Sequence, residues 1–187
     1  MLSVSEFKDD TSLLMATAGG EVKRTLVSDF AAVRSSGLIA VDLPRHDELI
    51  GAVLAKAEEN ILLITHNGQS IRFPVEDLRV SQRASGGVRG IELEADDRVV
   101  GLDVARPDHF VLVVTAGGYG KLTPVEEYPL QHRAGSGVLT FKVVDKTGKV
   151  VAGRVVDREH QVMIATAEGV VIRTPVGTED EEKGIIV

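Results

Sequence analysis

The sequence predicts an all-β fold, a propeller-like array of four-stranded blades that occupies residues 1–187 as one domain. A motif recurs four times, each copy joins two strand-like segments through a tight-turn glycine, and no stretch of ten or more residues shows a capped helical period. Because 43% of the residues are hydrophobic and only 4% are aromatic, we expect a sizeable core made mainly of aliphatic side chains.

The repeat is anchored on a glycine that occupies the same place in four aligned segments. These are ATAGGEVKRTLVSDF, ITHNGQSIRFPVEDL, VTAGGYGKLTPVEEY and ATAEGVVIRTPV, with anchors at Gly20, Gly68, Gly118 and Gly169. Seven residues after each anchor stands a valine, at Val27, Val75, Val125 and Val176. Because chance does not produce this register over most of a chain, we predict repeats at approximately 11–55, 60–105, 110–157 and 161–187.

Each anchor glycine is predicted to lie in a tight hairpin turn. The pair Asn67-Gly68 is a strong hairpin signal, and Gly19-Gly20, Gly117-Gly118 and Glu168-Gly169 stand at the same place. Apolar runs precede the turns and more polar strands follow them. We expect two-residue primed turns, which require positive φ at both central residues.

Two further apolar blocks complete each predicted blade. A second glycine, at Gly37, Gly87 and Gly137, is expected to open the strands LIAVDL, VRGIEL and VLTFKV, and a third block closes the unit. The strands are apolar without interruption, which indicates sheets covered on both faces by neighbouring blades. The fourth repeat is shorter than the others and is expected to be truncated, giving about 3.5 to 4 blades of a domain fragment or abbreviated array.

Composition excludes several classes of protein. The chain has no cysteine, so disulfides, thiolate catalysis and cysteine-ligated metals are excluded. It shows no secretory signal pattern and no apolar stretch long enough to span a membrane, so we expect a cytoplasmic protein.

Sites for catalysis, metals and nucleotides are not predicted. The histidines His46, His66, His109, His132 and His160 fall at different phases of the repeat and lack ligand spacing. The glycines around Tyr119 belong to a hairpin with no following helix, which argues against a phosphate loop. Tyr128 aligns with Phe30 and Leu78 and is therefore expected in the core.

The net charge of −7 is distributed unevenly along each repeat. Basic residues concentrate around the hairpin and the glycine-rich loop, whereas the return connections, such as residues 92–108, are acidic. A four-stranded blade is roughly 15–20 Å wide, and the Debye length is about 8 Å in physiological salt. Acids on one side of a blade are therefore largely screened from a phosphate on the other.

A basic residue recurs in phase, four positions after the anchor glycine, at Arg24, Arg72 and Arg173, while Leu122 stands there in the third repeat beside Lys121. In a stacked array these cations would form a regular arc suited to a polyanion. From periodicity alone, an equally good explanation is that these basic residues solvate edge strands and protect them from aggregation. The candidate DNA contacts are Lys23, Arg24, Arg34, Arg72, Arg79, Arg83, Arg89, Lys121, Gln131, His132, Arg133 and Arg173.

The loops before the second glycine, residues 81–87 and 131–137, combine a basic residue with small residues that let backbone amides approach an anion. Together with hairpins such as THNGQSIRFPVEDL, they make the chain resemble the C-terminal domain of the DNA gyrase A protein, or its topoisomerase IV relative. The resemblance covers residues 11–176. It implies a β-pinwheel whose neighbouring blades exchange strands and whose basic outer rim wraps double-stranded DNA.

The resemblance also implies the setting of such a domain. Its partners would be double-stranded DNA, the rest of the gyrase A protein and the gyrase B protein, near the bacterial nucleoid and without a membrane. The domain would be non-catalytic and hold no cofactor, since ATP and Mg²⁺ are implied only for the parent topoisomerase.

The family's signature, the GyrA box Q-R-R-G-G-K-G, is matched here at Gln131, Arg133, Gly135 and Gly137 but not at His132, Ala134 or Ser136. Because His132 replaces an arginine and Ser136 the lysine, two cations are missing. This degenerate box puts wrapping-driven supercoiling in doubt and leaves topoisomerase IV-like behaviour open. A protein-interaction propeller and a module that regulates the parent enzyme also stay open as functions for such a repeat array.

Overall fold

The computed structural model describes residues 2–176, which form thirteen β-strands and three short 3-10 turns. In chain order the strands are β1 (Thr11–Thr17), β2 (Glu21–Leu26), β3 (Leu49–Lys56), β4 (Asn60–Thr65), β5 (Gln69–Pro74), β6 (Val88–Arg89), β7 (Val99–Val104), β8 (Phe110–Thr115), β9 (Gly120–Pro124), β10 (Val138–Leu139), β11 (Val150–Val156), β12 (Gln161–Ala165) and β13 (Val171–Pro175). No helix long and apolar enough to cross a membrane occurs in this part of the chain.

The strands form four antiparallel sheets, one for each repeat, which we call blades 1 to 4. Blade 1 has the order β3-β1-β2-β6, blade 2 β10-β5-β4-β7, blade 3 β11-β8-β9, and blade 4 is the hairpin β12-β13. The short strands β6 and β10 each leave their own repeat and pair with the hairpin of the preceding one, as in Val88 opposite Val22 and Val138 opposite Ser70. The all-β fold with strand exchange between neighbouring blades is confirmed.

Strand β7 contacts both β3 and β11, and these three strands define the inner edges of the first three sheets. The exchanged strands β6 and β10 lie at the opposite edges, which we call the outer edge. The expectation of a sheet covered on both faces by neighbouring blades is confirmed for blade 2, because Ile61 and Leu63 of β4 pack between blades 1 and 2, whereas Leu62 and Ile64 face blade 3.

The prediction of a strand at LIAVDL is wrong, because residues 38–43 form no strand. The equivalent segments of the next two repeats form β6 and β10, of only two residues each, by pairing with the hairpin of the blade before them. Within residues 2–176 no blade precedes blade 1, so residues 38–43 have no such ladder partner.

The predicted two-residue primed turns are also wrong. Positive φ occurs at the anchor, such as Gly68 at 87°, but not at Asn67 before it. The Gly68 N–H donates to the carbonyl of Thr65 at 3.1 Å, which makes a three-residue loop of a type I turn followed by a left-handed glycine. The hydroxyl of Thr65 then accepts the N–H of Gln69 at 3.1 Å, which stabilises the bulge that follows the turn.

After each of the first three hairpins the chain makes a 3-10 turn, at Val27–Phe30, Val75–Asp77 and Val125–Glu127. The repeated valine begins each turn and is buried, and Leu78 and Tyr128 close the second and third turns. Tyr128 is only 4% exposed and hydrogen-bonds the hydroxyl of Thr140, which confirms its predicted place in the core. The expected truncation of the fourth repeat lies on residues 177–187, outside the described residues.

Candidate nucleic-acid interface

The outer edge of blade 1 carries exposed cations of the predicted set, although Glu21 lies opposite Arg89 in the ladder. Arg89 lies on the outermost strand, β6, and Arg79 lies in the loop that leads to it, and both side chains are exposed. Within residues 2–176 neither guanidinium has a hydrogen bond or ion pair to the protein. Arg34 is exposed in the corresponding loop of the first repeat. These three side chains are therefore available to an anion.

Two depressions along this edge bring further predicted residues together. One is lined by Arg34 and Arg83 with the backbone of Gly37. The other is lined by Arg79 and Arg133, together with Gly86 and Gly87. The second depression also includes Asp77, so its positive charge is partly offset.

The arginines of the glycine-rich loops form hydrogen bonds to backbone carbonyls of the preceding repeat. Arg83 donates from Nη1 to the carbonyl of Ile39 at 3.2 Å, and Arg133, one repeat later, donates from Nη1 to the carbonyl of Arg89 at 3.0 Å. Arg133 also donates from Nε to the carbonyl of Asp77 at 3.2 Å. Each of these half-buried guanidinium groups therefore has part of its donor capacity engaged within the protein.

The polar residues of loop 131–137, which carries the degenerate GyrA box, lie in different environments. The His132 side chain is 97% exposed, with Nδ1 3.3 Å from Oδ2 of Asp77. The Gln131 amide oxygen is buried and has no partner among the described residues. Ala134 adopts φ of 68° where the box has glycine, so the loop is strained there by the Cβ of alanine.

The predicted arc of in-phase arginines splits into two environments. Arg24 and Arg72 are half-buried and point their guanidinium groups at the next repeat, where Nη1 of Arg72 donates to the carbonyls of Val125 and Tyr128 at 3.1 and 3.2 Å. Arg173, on β13 of blade 4, is exposed. Their contact with DNA stays a prediction, but the first two have donors already engaged.

Lys23 is 2% exposed and donates its ammonium to the carbonyls of Ala40, at 2.8 Å, and Arg83. Burial lowers the pKa of Lys23, and the nearby charge of Arg83 lowers it further, whereas Asp29 and Asp42 act in the opposite direction. Its equivalent Lys121 is exposed, with Nζ 3.4 Å from the carbonyl of Thr140. Lys23 therefore ties segments together, whereas Lys121 lies where a phosphate can reach it.

Two acidic residues, Asp47 and Asp97, lie at the hairpin turns of blades 1 and 2. Asp47 accepts the N–H of Gly19 at 2.8 Å, and Asp97 accepts that of Asn67 at 2.9 Å, so both carboxylates cap hairpin turns. Desolvation is the largest single influence on the pKa of Asp47 and raises it, but the hydrogen bonds from Thr17 and from the backbone N–H groups of Gly19 and Glu48 together hold that pKa below its usual value. Among residues 2–176, no group of three or more acids and histidines is placed to hold a metal ion.

Sequence reasoning missed Lys142, which is exposed and follows the exchanged strand β10. The repeat alignment could have identified it. At the position of Lys142 the first two repeats carry the acids Asp42 and Glu92, and the third repeat carries a base. A reversal of charge at one phase therefore marks a second candidate cation near the outer edge.

Comparison with known proteins relates the chain to gyrase. The family profile described as DNA gyrase C-terminal domain, beta-propeller, matches residues 11–56, 59–106, 109–157 and 160–178. The DNA gyrase A protein of Dehalogenimonas lykanthroporepellens is 83% identical over 187 residues, covering 100% of this chain and 23% of that protein. The gyrase A protein of Mycolicibacterium smegmatis is 43% identical over 176 residues, covering 93% of this chain and 21% of its own length.

Solved structures agree in fold. The chain superposes on a DNA gyrase A C-terminal domain with a TM-score of 0.85 at 25% identity, covering 98% of this chain and 63% of that one. A topoisomerase IV C-terminal domain gives a TM-score of 0.85 at 22% identity, covering 92% and 55%. The chain thus spans less than a quarter of the two matched gyrase A proteins and about three fifths of these isolated domains.

Proposed function

This chain belongs to the family of DNA gyrase C-terminal β-propeller domains, and we propose that it binds double-stranded DNA along its outer edge and bends it without reading base sequence. The observation that supports this most is the exposed pair Arg79 and Arg89 at the outermost strand of blade 1, with Arg34 nearby. Cations that contact only phosphates position a duplex but carry no sequence information.

Bending requires contacts on more than one blade. A bend of 40–90° over 20–30 bp costs on the order of 1–6 kcal/mol, which several phosphate contacts must offset. Lys121 and Lys142 belong to the third repeat, so the candidate cations extend along the array. A duplex that follows successive blades is thereby bent around them.

In the parent enzyme, the domain would present a second duplex segment to the gate at which other domains cleave and pass DNA. ATP and Mg²⁺ would act in those domains, and the partners would be the remainder of the gyrase A protein and the gyrase B protein. Because His132 and Ser136 replace cations of the family's box, we propose that this domain bends DNA but contributes less to tight wrapping.

The test is the salt dependence of duplex binding by the whole chain. Arg79→Gln with Arg89→Gln should weaken binding of unrelated duplexes alike, and should reduce the slope of log K against log salt by about 1.8, or 0.9 for each lost phosphate contact. Arg106→Gln, which removes a positive charge from an exposed residue of the acidic connection after β7, is the control.

A control variant that loses as much slope per removed charge as the double variant would show that binding is diffuse and not located at the outer edge. Absence of binding by the wild-type chain at low salt would contradict DNA binding altogether and favour a protein-interaction role.

A further inference from the structure

The two half-buried in-phase arginines make the same contact at two places in the molecule. Arg24, on β2, donates from Nη1 to the carbonyls of Val75 and Leu78, each at 3.3 Å. Arg72, on β5, makes the equivalent pair of contacts to the third repeat. In both cases the acceptors are the first residue of the next repeat's 3-10 turn and the residue that closes it.

The backbone of each arginine is bonded to the same neighbouring repeat. The carbonyl of Arg24 accepts the N–H of Ser81, and the carbonyl of Arg72 accepts that of Gln131, both at 2.9 Å. Arg24 also donates from Nε to the hydroxyl of Ser12 at 3.0 Å in its own hairpin. The guanidinium therefore connects a strand of one blade to the turn of the next.

The chemistry of the contact explains why arginine occupies this position. In both repeats the two carbonyls accept from a single atom, Nη1, whose two N–H bonds are fixed in the plane of an always-charged guanidinium and form a rigid fork that can hold two carbonyls at a fixed separation. A lysine ammonium on a flexible stem carries the same charge without that fork. The contact thus restricts how one blade is oriented relative to the next.

We infer that Arg24 and Arg72 are positioning residues, inter-blade clamps that set the angle between successive blades and hence the curvature of the DNA-binding edge, and that they do not bind phosphate. This inference rests on the proposed function for its effect on DNA. The clamp itself is a property of the protein alone, since both sets of acceptors are backbone carbonyls of the described chain.

The DNA test separates curvature from charge. In the double variant Arg24→Gln with Arg72→Gln, affinity for a duplex of about 10 bp should stay within about twofold, and the salt slope should stay within about 0.3 of wild type. Binding of the wild-type chain should change the energy transfer between the two ends of a labelled duplex of about 30 bp. In the double variant this change should be about half as large, because a loosened array bends the duplex less.

Lysine substitution supplies the matched control for charge. Arg24→Lys with Arg72→Lys keeps both positive charges but loses the fork, so it should lose bending as the glutamine variant does. The inference would be overturned if the salt slope fell by about 0.9 for each glutamine substitution and the lysine variant bent DNA as wild type does. These arginines would then be phosphate ligands. Unchanged bending in both variants would also overturn the inference.

A measurement without DNA distinguishes failure of the clamp from failure of the proposed function. The chain has no cysteine, so spin labels can be attached to cysteines introduced at the exposed residues Glu48 and Arg98, which precede β3 and β7. Arg24→Gln should broaden the distance distribution between the two labels, while far-UV circular dichroism stays that of wild type. An unchanged distribution would contradict the clamp even if DNA binding were established.

Discussion

The junction between blades 2 and 3 differs from the junction between blades 3 and 4, although both join copies of one repeat. At the former, Arg72 holds the turn of the next repeat and β10 pairs with β5. At the latter, Leu122 stands in the register position of Arg72 and packs with Leu112 and Val176. Within residues 2–176, β9 has no exchanged strand at its outer side.

The difference shows that a cation repeated in phase is weak evidence for a ligand site. In the first two repeats the arginine at this position serves the contact between blades, and in the third repeat leucine serves the same contact by apolar packing. The exposed cations Arg79 and Arg89 have no basic counterpart in register, since Ala31 and Pro129 align with Arg79, and Ile39 and Leu139 with Arg89. Exposure therefore separates the two kinds of cation better than periodicity does.

The largest expected effect comes from a substitution at Gly68, the turn glycine at the junction between blades 2 and 3. A Cβ added at Gly68 would overlap the carbonyl of Phe141, which belongs to the third repeat, whereas a Cβ at Gly169 meets no atom of the described chain within 4 Å. Both glycines have positive φ. Gly68→Ala should destabilise the fold by about 4 kcal/mol or more, against about 1–2 kcal/mol for Gly169→Ala.

Urea unfolding followed by circular dichroism measures this difference. Equal destabilisation by the two alanines would show that the exchanged segment after β10 yields without strain, and would remove the distinction between the junctions.

The next effect compares the two junction side chains directly. Arg72→Ala should destabilise blade 3 by about 2–3 kcal/mol, because two hydrogen bonds from a charged donor are lost. Leu122→Ala should cost about 1 kcal/mol, because the leucine is only half-buried.

Amide hydrogen exchange locates both effects. The N–H of Tyr128, bonded to Val125 within the clamped turn, should lose protection in Arg72→Ala and keep it in Leu122→Ala. Loss of protection confined to β4 and β5 in the arginine variant would contradict a contact between blades.

The smallest effect concerns Lys23, whose burial lowers its pKa. Between that lowered pKa and the ordinary value of 10.5, the unfolded chain binds more protons at this site than the folded one, so stability should rise with pH. The slope has an upper limit of about 1.4 kcal/mol per pH unit. The free energy of unfolding is measured between pH 7 and 10.5. Because the rise with pH comes from the burial of Lys23, it should be smaller in Lys23→Met by the part that Lys23 contributes.

Lys121→Met is the matched control, since it alters the equivalent residue of the third repeat and leaves Lys23 in place. A slope that persists in Lys23→Met would assign the pH dependence to other groups.

Much of the fold was predictable because its signals are local. The turn glycines, the apolar runs before them and the repeated valines identify strands and their ends without reference to distant residues. The same local signals gave the wrong turn type, because the hydroxyl and carbonyl of Thr65 and the left-handed Gly68 together select the three-residue loop. The prediction of a strand at residues 38–43 was wrong because a strand also requires a partner.

The candidate site was predictable only in part. The sequence alone determined the repeat length, the all-β class, the aliphatic core and the residues that carry positive charge, since these follow from spacing and composition. The tertiary structure decided which of those charges face solvent, as Arg89 does, and which face a neighbour's carbonyls, as Arg24 and Lys23 do. Those contacts join residues 17 to 60 positions apart, and only the way one blade lies on the next brings them together.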